Sequence, residues 1–319
     1  MSDITHRDIG TNGIRMHTAE AGQGPLVVLL HGFPEGWYSW RHQLAALAEA
    51  GFHGVAPDQR GYGQTDRPAE IEKYSMPYLV GDVIGLLDAL EEPRAVIVGH
   101  DWGAPVAWNT ALWRPDRVRG VVGLSVPFRR RGSRPPLDVY REVLGERFYQ
   151  VYFQEPGVAE REFERDVRQT LRRVLFGLSG DAPTVPDMII DEHNGFAEAM
   201  GPEPAELPAW LSDADLDQFA TQFESTGFTG GLNWYRNIDR NWELSAPWRG
   251  ALVTPAALHM VGDRDVVYRF PGGKEAATNL KTLVPHLTQT IVLPGCGHWI
   301  QQERPAEVNG ALLEFVQAL

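Results

Sequence analysis

A single cysteine, Cys296, in 319 residues rules out an internal disulfide and points to a reducing compartment. Basic residues are few: 29 Lys and Arg stand against 42 Asp and Glu, a formal charge of −13. That balance argues against nucleic acid and anionic membrane surfaces as partners. No apolar run nears the roughly 20 residues that a membrane helix needs. Residues 1–20 are polar and charged, without the apolar centre of a secretory leader. Repeats and low-complexity tracts are missing too. A soluble cytoplasmic protein without a membrane span is the expectation. At this length, one large domain carrying a subdomain is expected.

What is present is alternation. An Asn12-Gly13 turn joins two short segments between His6 and Glu20, the mark of an opening hairpin. Apolar runs at 26–30, 54–56, 95–98, 121–124, 256–261 and 290–293 read as strands. Helical patterns at 40–50, 79–90 and 104–113 separate them. Strands alternating with helices predict a mostly parallel sheet flanked by helices, an α/β fold. The alternation stops between about Arg129 and Ala246, where helical spacing and Gly/Pro punctuation take over. Leu137, Tyr140, Leu144, Phe148 and Val151 recur at three or four residues and predict one face of an amphipathic helix. Residues 1–128 and 247–319 are thus expected to form the core, with 129–246 inserted as a helical cap. Resumption of strands after the insert speaks against an independent second domain.

One strand end carries the chemistry. After Val96-Ile97-Val98 the chain reads Gly99-His100-Asp101-Trp102-Gly103-Ala104. Small residues at 99, 103 and 104 let the backbone turn sharply into a helix packed close to the sheet. The spacing is that of a nucleophile elbow, G-x-Nu-x-G, with Asp101 where serine usually stands. A carboxylate is ionised at neutral pH and needs no base to activate it. It suits attack on a polarised saturated carbon, giving an ester that water can later cleave. The competing reading is a turn whose aspartate only caps the helix.

Three further strand ends weigh against that reading. Pro294-Gly295-Cys296-Gly297-His298-Trp299 follows the last predicted strand and offers His298 at the carboxyl edge of the sheet. Val261-Gly262-Asp263-Arg264-Asp265 ends another strand. Either Asp263 or Asp265 can accept the His298 Nδ1 proton, and spacing leaves the choice open. His31-Gly32-Phe33-Pro34 follows the strand at 26–30. There the Phe33 N–H, with that of Trp102, can form an oxyanion hole. The order Asp, Asp, His along the chain is the nucleophile–acid–histidine order of α/β-hydrolases.

A longer set of residues resembles the soluble epoxide hydrolase family. The core carries His31-Gly32-Phe33-Pro34-Glu35-Gly36-Trp37-Tyr38-Ser39-Trp40-Arg41, Pro57-Asp58-Gln59-Arg60-Gly61-Tyr62-Gly63 and Gly99-His100-Asp101-Trp102-Gly103. The cap carries Tyr152-Phe153-Gln154-Glu155-Pro156-Gly157 and Gly230-Gly231-Leu232-Asn233-Trp234-Tyr235-Arg236-Asn237. The chain closes on Gly297-His298-Trp299-Ile300-Gln301-Gln302-Glu303-Arg304-Pro305. The likeness spans nearly the whole chain. It looks like a stand-alone bacterial-type member, since 319 residues leave no room for an added N-terminal phosphatase-like domain.

The resemblance implies an α/β-hydrolase core with a helical cap, and roles for particular residues. Asp101 would be the nucleophile, His298 the base and Asp265, on the family's G-x-x-D pattern, the acid that orients it. Phe33 and Trp102 would supply the oxyanion N–H groups. Tyr235 matches one cap tyrosine that hydrogen-bonds the epoxide oxygen. Tyr149 matches the other, with Tyr152 as its rival; Tyr149 is favoured because it lies off the Leu144, Phe148 and Val151 stripe. Trp37, Trp102, Tyr149, Tyr235 and Trp299 are expected around the substrate. The implied reaction converts an epoxide to a vicinal diol through an Asp101 ester, which His298-activated water hydrolyses. It requires no metal or organic cofactor, and its partners are a small epoxide and water. A homodimer is compatible with the chain, and detoxification with the family.

Two alternatives stand beside this. A haloalkane dehalogenase shares the fold and the aspartate, with Trp102 as a halide donor. Phe33, however, stands where an asparagine would follow His-Gly, and the cap tyrosines would have no task. A non-catalytic small-molecule-binding member of the fold would keep the same triad. Two smaller features read plainly: Cys296 as a small wall residue and Arg129-Arg130-Arg131 as a solvated junction.

Overall fold

The computed structural model of the chain describes residues 4–190 and 195–319. β1 (Thr5–Thr11) and β2 (Ile14–Ala21) form the opening hairpin. Its turn residues Asn12 and Gly13 both have positive φ, 43° and 77°, which Asn-Gly adopts at little cost. β3 (Leu26–Leu30), β4 (His53–Pro57), β5 (Ala95–His100), β6 (Val118–Leu124), β7 (Ala256–Gly262) and β8 (Leu287–Leu293) complete one sheet. The order is β1-β2-β4-β3-β5-β6-β7-β8, antiparallel as far as β4 and parallel beyond it. The chain steps outward from β3 to β4, then crosses back to β5. A crevice therefore opens between the loops that leave β3 and β5, where ligands bind in open α/β sheets.

Helices α1 (Arg41–Glu49), α2 (Met76–Ala89) and α3 (Gly103–Trp113) link these strands near the predicted positions. Between β6 and β7 the described residues contain no strand beyond an isolated bridge between Phe148 and Ile189. They form α4 (Pro136–Leu144), α5 (Tyr149–Tyr152), α6 (Val158–Phe163), α7 (Val167–Gly177), α8 (Phe196–Ala199), α9 (Asp213–Thr226), α10 (Thr229–Tyr235) and α11 (Ile238–Leu244). The single amphipathic helix expected through Val151 is two helices. Gly145 turns the chain at φ 89° after α4, and Phe148 is extended before α5. A three-to-four spacing carries across such a turn, so the pattern alone does not see the break. After β7 come α12 (Val266–Arg269), α13 (Gly273–Thr278), α14 (Ile300–Glu303) and α15 (Pro305–Gln317).

Period-two alternation sorts the strands into two cores. Val27, Leu29, Val96, Val98, Leu258 and Met260 cluster with Leu44 and Leu47 of α1 and Leu312 and Phe315 of α15. Val28, Leu30 and Ile97 cluster with Leu79 and Val83 of α2 and Val106 of α3. That second core continues into the helical segment, where Phe33 meets Phe153 and Phe228 edge-on. Polar ties add register. The Trp234 Nε1–H donates to the Arg60 carbonyl at 3.1 Å, and the Met76 N–H to Asn241 Oδ1 at 2.7 Å. No helix among the described residues is long and apolar enough to cross a membrane.

The turn from β5 into α3 depends on missing side chains. A Cβ on Gly103 would run into the carbonyl oxygen of Leu30, which is backbone of a central strand and cannot swing aside. Gly103→Ala should therefore cost about 3 kcal/mol in denaturant unfolding, at the upper end of overpacking effects. A loss below about 0.5 kcal/mol, the level of a surface change, would show that the turn relaxes freely.

Candidate active site

Asp101 follows β5 directly and sits at φ 48°, a left-handed conformation uncommon for a residue with a side chain. Its neighbours enforce it. A Cβ on Gly99 would strike Gly103, and one on Gly32 would strike the Asp101 carboxylate. The loop after β3 thus lies directly against the aspartate. From that loop the Phe33 N–H donates to Asp101 Oδ1 at 2.8 Å. Trp102 is the N-cap residue of α3, and no bond from its N–H to the carboxylate is present among the described residues.

The other carboxylate oxygen, Oδ2, lies 3.5 Å from His298 Nε2. On its far side His298 Nδ1 meets Asp265 Oδ1 at 3.1 Å and Ser125 Oγ at 3.2 Å. Asp265 also accepts the Val267 N–H at 2.8 Å, capping α12, and is fully buried. Asp263, the alternative that spacing cannot separate, accepts the Gly295 N–H at 2.8 Å and serves its turn. Asp101, His298 and Asp265 thus form one line, although the two aspartates lie 164 positions apart in sequence.

The electrostatics follow from that line. Burial pulls the His298 pKa down, but the Asp265 charge and hydrogen bonds to Asp101 and Asp265 outweigh it. The result lies well above the ordinary histidine value. Burial pushes Asp101 up, and the hydrogen bond and charge of His298, with His100 and the Phe33 N–H, pull it below the ordinary carboxylate value. The resting pair is carboxylate and imidazolium.

Behind this line lies a buried network whose motifs are visible in the sequence and whose role is not. Glu35 Oε2 pairs with His100 Nδ1 at 2.7 Å and accepts the Gly32 N–H at 3.2 Å. Its Oε1 accepts Gln301 Nε2 and Gln302 Nε2, both at 3.0 Å. His100 Nε2 donates to the His298 carbonyl at 2.8 Å. One carboxylate therefore ties together the loop after β3, the end of β5 and α14. Glu303 adds a clamp, accepting the N–H groups of Gly180 and Gly297 at 2.8 Å each.

Asp101 opens onto a cavity of about 530 Å³, within the range of small-molecule sites. Trp102, Tyr149 and Tyr235 line it. The two tyrosine rings lie 5.9 Å apart, and Tyr149 Oη accepts Gln150 Nε2 at 2.7 Å. Burial first, then the Asp101 charge, raises the pKa of both hydroxyls, so they stay protonated at neutral pH. Tyr152 does not line the cavity; its hydroxyl donates to Glu162 Oε2 at 2.8 Å. Trp37 and Trp299, expected around the substrate, lie elsewhere. Trp37 stands edge-on to His6 at 4.8 Å and packs towards the α1 side of the sheet. Trp299 is buried against the His298 ring, its Nε1–H donating to the Leu175 carbonyl at 2.7 Å.

Fold and crevice together define the class, that of the α/β-hydrolases, and the family model described as alpha/beta hydrolase fold matches residues 25–172. Over 99% of both chains the protein is 47% identical to epoxide hydrolase 2 of Siraitia grosvenorii. It is also 47% identical to epoxide hydrolase A of Mycobacterium tuberculosis, over 100% of this chain and 99% of that one. The crystal structure of epoxide hydrolase A from Mycobacterium thermoresistibile superposes with a TM-score of 0.92 at 46% identity, covering 99% of this chain and 98% of that one. The chain belongs to the epoxide hydrolase family and is an enzyme of that family.

Proposed function

We propose that the protein hydrolyses lipophilic epoxides to vicinal diols in two steps, with Asp101 as a covalent nucleophile. The observation that carries this reading is the division of labour on the Asp101 carboxylate. Oδ1 is held by the Phe33 N–H at 2.8 Å, whereas Oδ2 lies 3.5 Å from His298 Nε2 with no backbone donor on it among the described residues, on a residue that lines the cavity. Oδ2 attacks an epoxide carbon, the C–O bond breaks, and the ring oxygen takes a proton from Tyr149 or Tyr235. Asp101 is now a neutral ester. The His298 proton restores the tyrosine, leaving a neutral imidazole. His298 then takes a proton from water as that water attacks Asp101 Cγ. Oδ1 becomes the tetrahedral oxyanion, stabilised by the Phe33 and Trp102 N–H groups; as it collapses, the His298 proton passes to the departing oxygen, the diol leaves, and the Asp101 carboxyl returns a proton to His298.

In this reading residues 129–246 act as the cap that carries both tyrosines, over a core of 1–128 and 247–319. A cytoplasmic setting fits the single, buried Cys296. The largely apolar cavity wall fits clearance of lipophilic epoxides.

A single turnover in ¹⁸O-water, with enzyme in excess, tests the covalent step. Label should appear in the Asp101 carboxylate and not in the diol. Label entering the diol directly in that turnover would remove the ester from the mechanism. Tyr149→Phe and Tyr235→Phe should each slow alkylation by roughly 10²-fold, the lower range for a positioned proton donor. Melting curves should be unchanged, and Tyr152→Phe should turn over normally. Loss of activity in Tyr152→Phe alone would reassign the first tyrosine.

A further inference from the structure

The cavity has a charged outer end that the reaction does not use. Arg129, Arg130 and Arg131 line its wall where the chain leaves β6 for α4. Arg131 is occupied: its Nε donates to the Trp242 carbonyl at 2.8 Å, and its guanidinium lies 3.7 Å over the Trp242 ring. Arg129 and Arg130 are exposed, and neither makes an ion pair or hydrogen bond among the described residues. Their neighbours behave differently. Arg134 pairs with Glu142 at 2.6 Å and Arg141 with Glu146 at 3.2 Å.

The rest of the wall gives this pair a direction. Asp101 is the only acidic residue among the lining residues. Phe128, Tyr140, Leu144, Phe148 and Ile238 make much of the surface apolar, and Val143, 61% exposed, lies on the same wall. A carboxylate at the inner end and two unpaired guanidiniums at the outer end make the cavity polar along its length.

We propose that Arg129 and Arg130 are specificity-determining residues that receive a carboxylate at the distal end of an amphiphilic epoxide. Guanidinium groups match a carboxylate's geometry and remain charged at any working pH. The Asp101 charge repels an anionic end from the inner cavity, so such a substrate enters tail-out with its epoxide foremost. Turnover of that substrate rests on the reading of Asp101 above; binding of its anionic end does not.

Binding of decanoate and methyl decanoate to the full chain, followed by tryptophan fluorescence, separates the two. Trp102, Trp113, Trp242 and Trp248 all line the cavity and report on it. Decanoate should bind roughly tenfold more tightly than its ester at low ionic strength, as two half-exposed ion pairs allow, and less so in salt. Arg129→Gln with Arg130→Gln should erase the preference and leave ester affinity unchanged, while the double lysine variant should retain much of it. A carboxylated epoxide should show the same split in KM against its methyl ester, with kcat unaltered. Equal affinity for acid and ester in the wild type, or an unchanged preference in the glutamine variant, overturns the proposal. If decanoate shows the preference and no epoxide is turned over, the anion site stands and the reading of Asp101 falls. Turnover of both epoxides without preference gives the opposite result.

Discussion

Replacing His298 by glutamine should yield a protein that opens one epoxide per chain and then stops. Asp101 needs no base for its attack, because a carboxylate is already the nucleophile. Glutamine can still offer an N–H towards Oδ2, and the Phe33 N–H still holds Oδ1. What disappears, in the proposed mechanism, is the group that takes a proton from water in the second step. Intact mass should rise by the mass of one epoxide, while steady-state diol formation falls about 10⁴-fold, the upper range for a general base. Turnover without a stable adduct would remove His298 from the hydrolytic step.

The wild-type pH dependence should show the same division. His298 is raised well above its ordinary value partly by the Asp101 charge. Alkylation converts that charge to a neutral ester, so the His298 pKa must fall in the intermediate. In the proposed mechanism decay of the ester requires neutral His298; its rate should therefore climb with pH and level off above this lowered pKa. Alkylation requires ionised Asp101, whose pKa is depressed. It should hold its rate well into the acid range. As the pH falls through this lowered pKa the ester accumulates. Rapid-quench measurement of the covalent fraction against pH checks the sign; an adduct that grows with rising pH contradicts it.

Much of the core of this site can be read from the chain because it is built at strand ends. Local spacing around Asp101 and His298 marks a turn after a buried run, and a parallel sheet delivers such turns to one edge. Where two candidates share one turn, spacing fails. Asp263 and Asp265 lie two residues apart, and only their partners, the Gly295 N–H and the His298 ring, tell them apart. Orientation is also invisible. Trp37 and Trp299 flank motif residues, yet their side chains leave the cavity for the α1 side of the sheet and for Leu175. Glu35 illustrates a third limit. Its partners come from positions 32, 100, 301 and 302, and nothing local links them before the sheet is assembled. The arginines at 129–131 are legible as a charge run, but not as the wall of a cavity.

Asp101→Ala and Asp101→Asn should begin equally inactive and then diverge. Either change removes the nucleophile, and alkylation should fall at least about 10⁴-fold, as when a unit of the catalytic machinery is deleted. Asparagine tolerates the left-handed backbone at φ 48° better than alanine, so its carbonyl oxygen should stay on the Phe33 N–H. Its amide carbon then occupies the place of the ester carbon. With the Asp101 charge gone, His298 loses one of the groups that raise it and becomes a better base at neutral pH. In the proposed mechanism, water activated by His298 then meets an acyl carbon in the place of the ester's. Slow release of ammonia should convert the introduced asparagine back to aspartate, with activity returning in step with the mass change. The alanine variant has no acyl carbon and should stay silent. Asp101→Asn combined with His298→Gln should stay silent too, because its amide lacks the base. Recovery in that double variant at the rate of the single one would show that the water is activated by something other than His298.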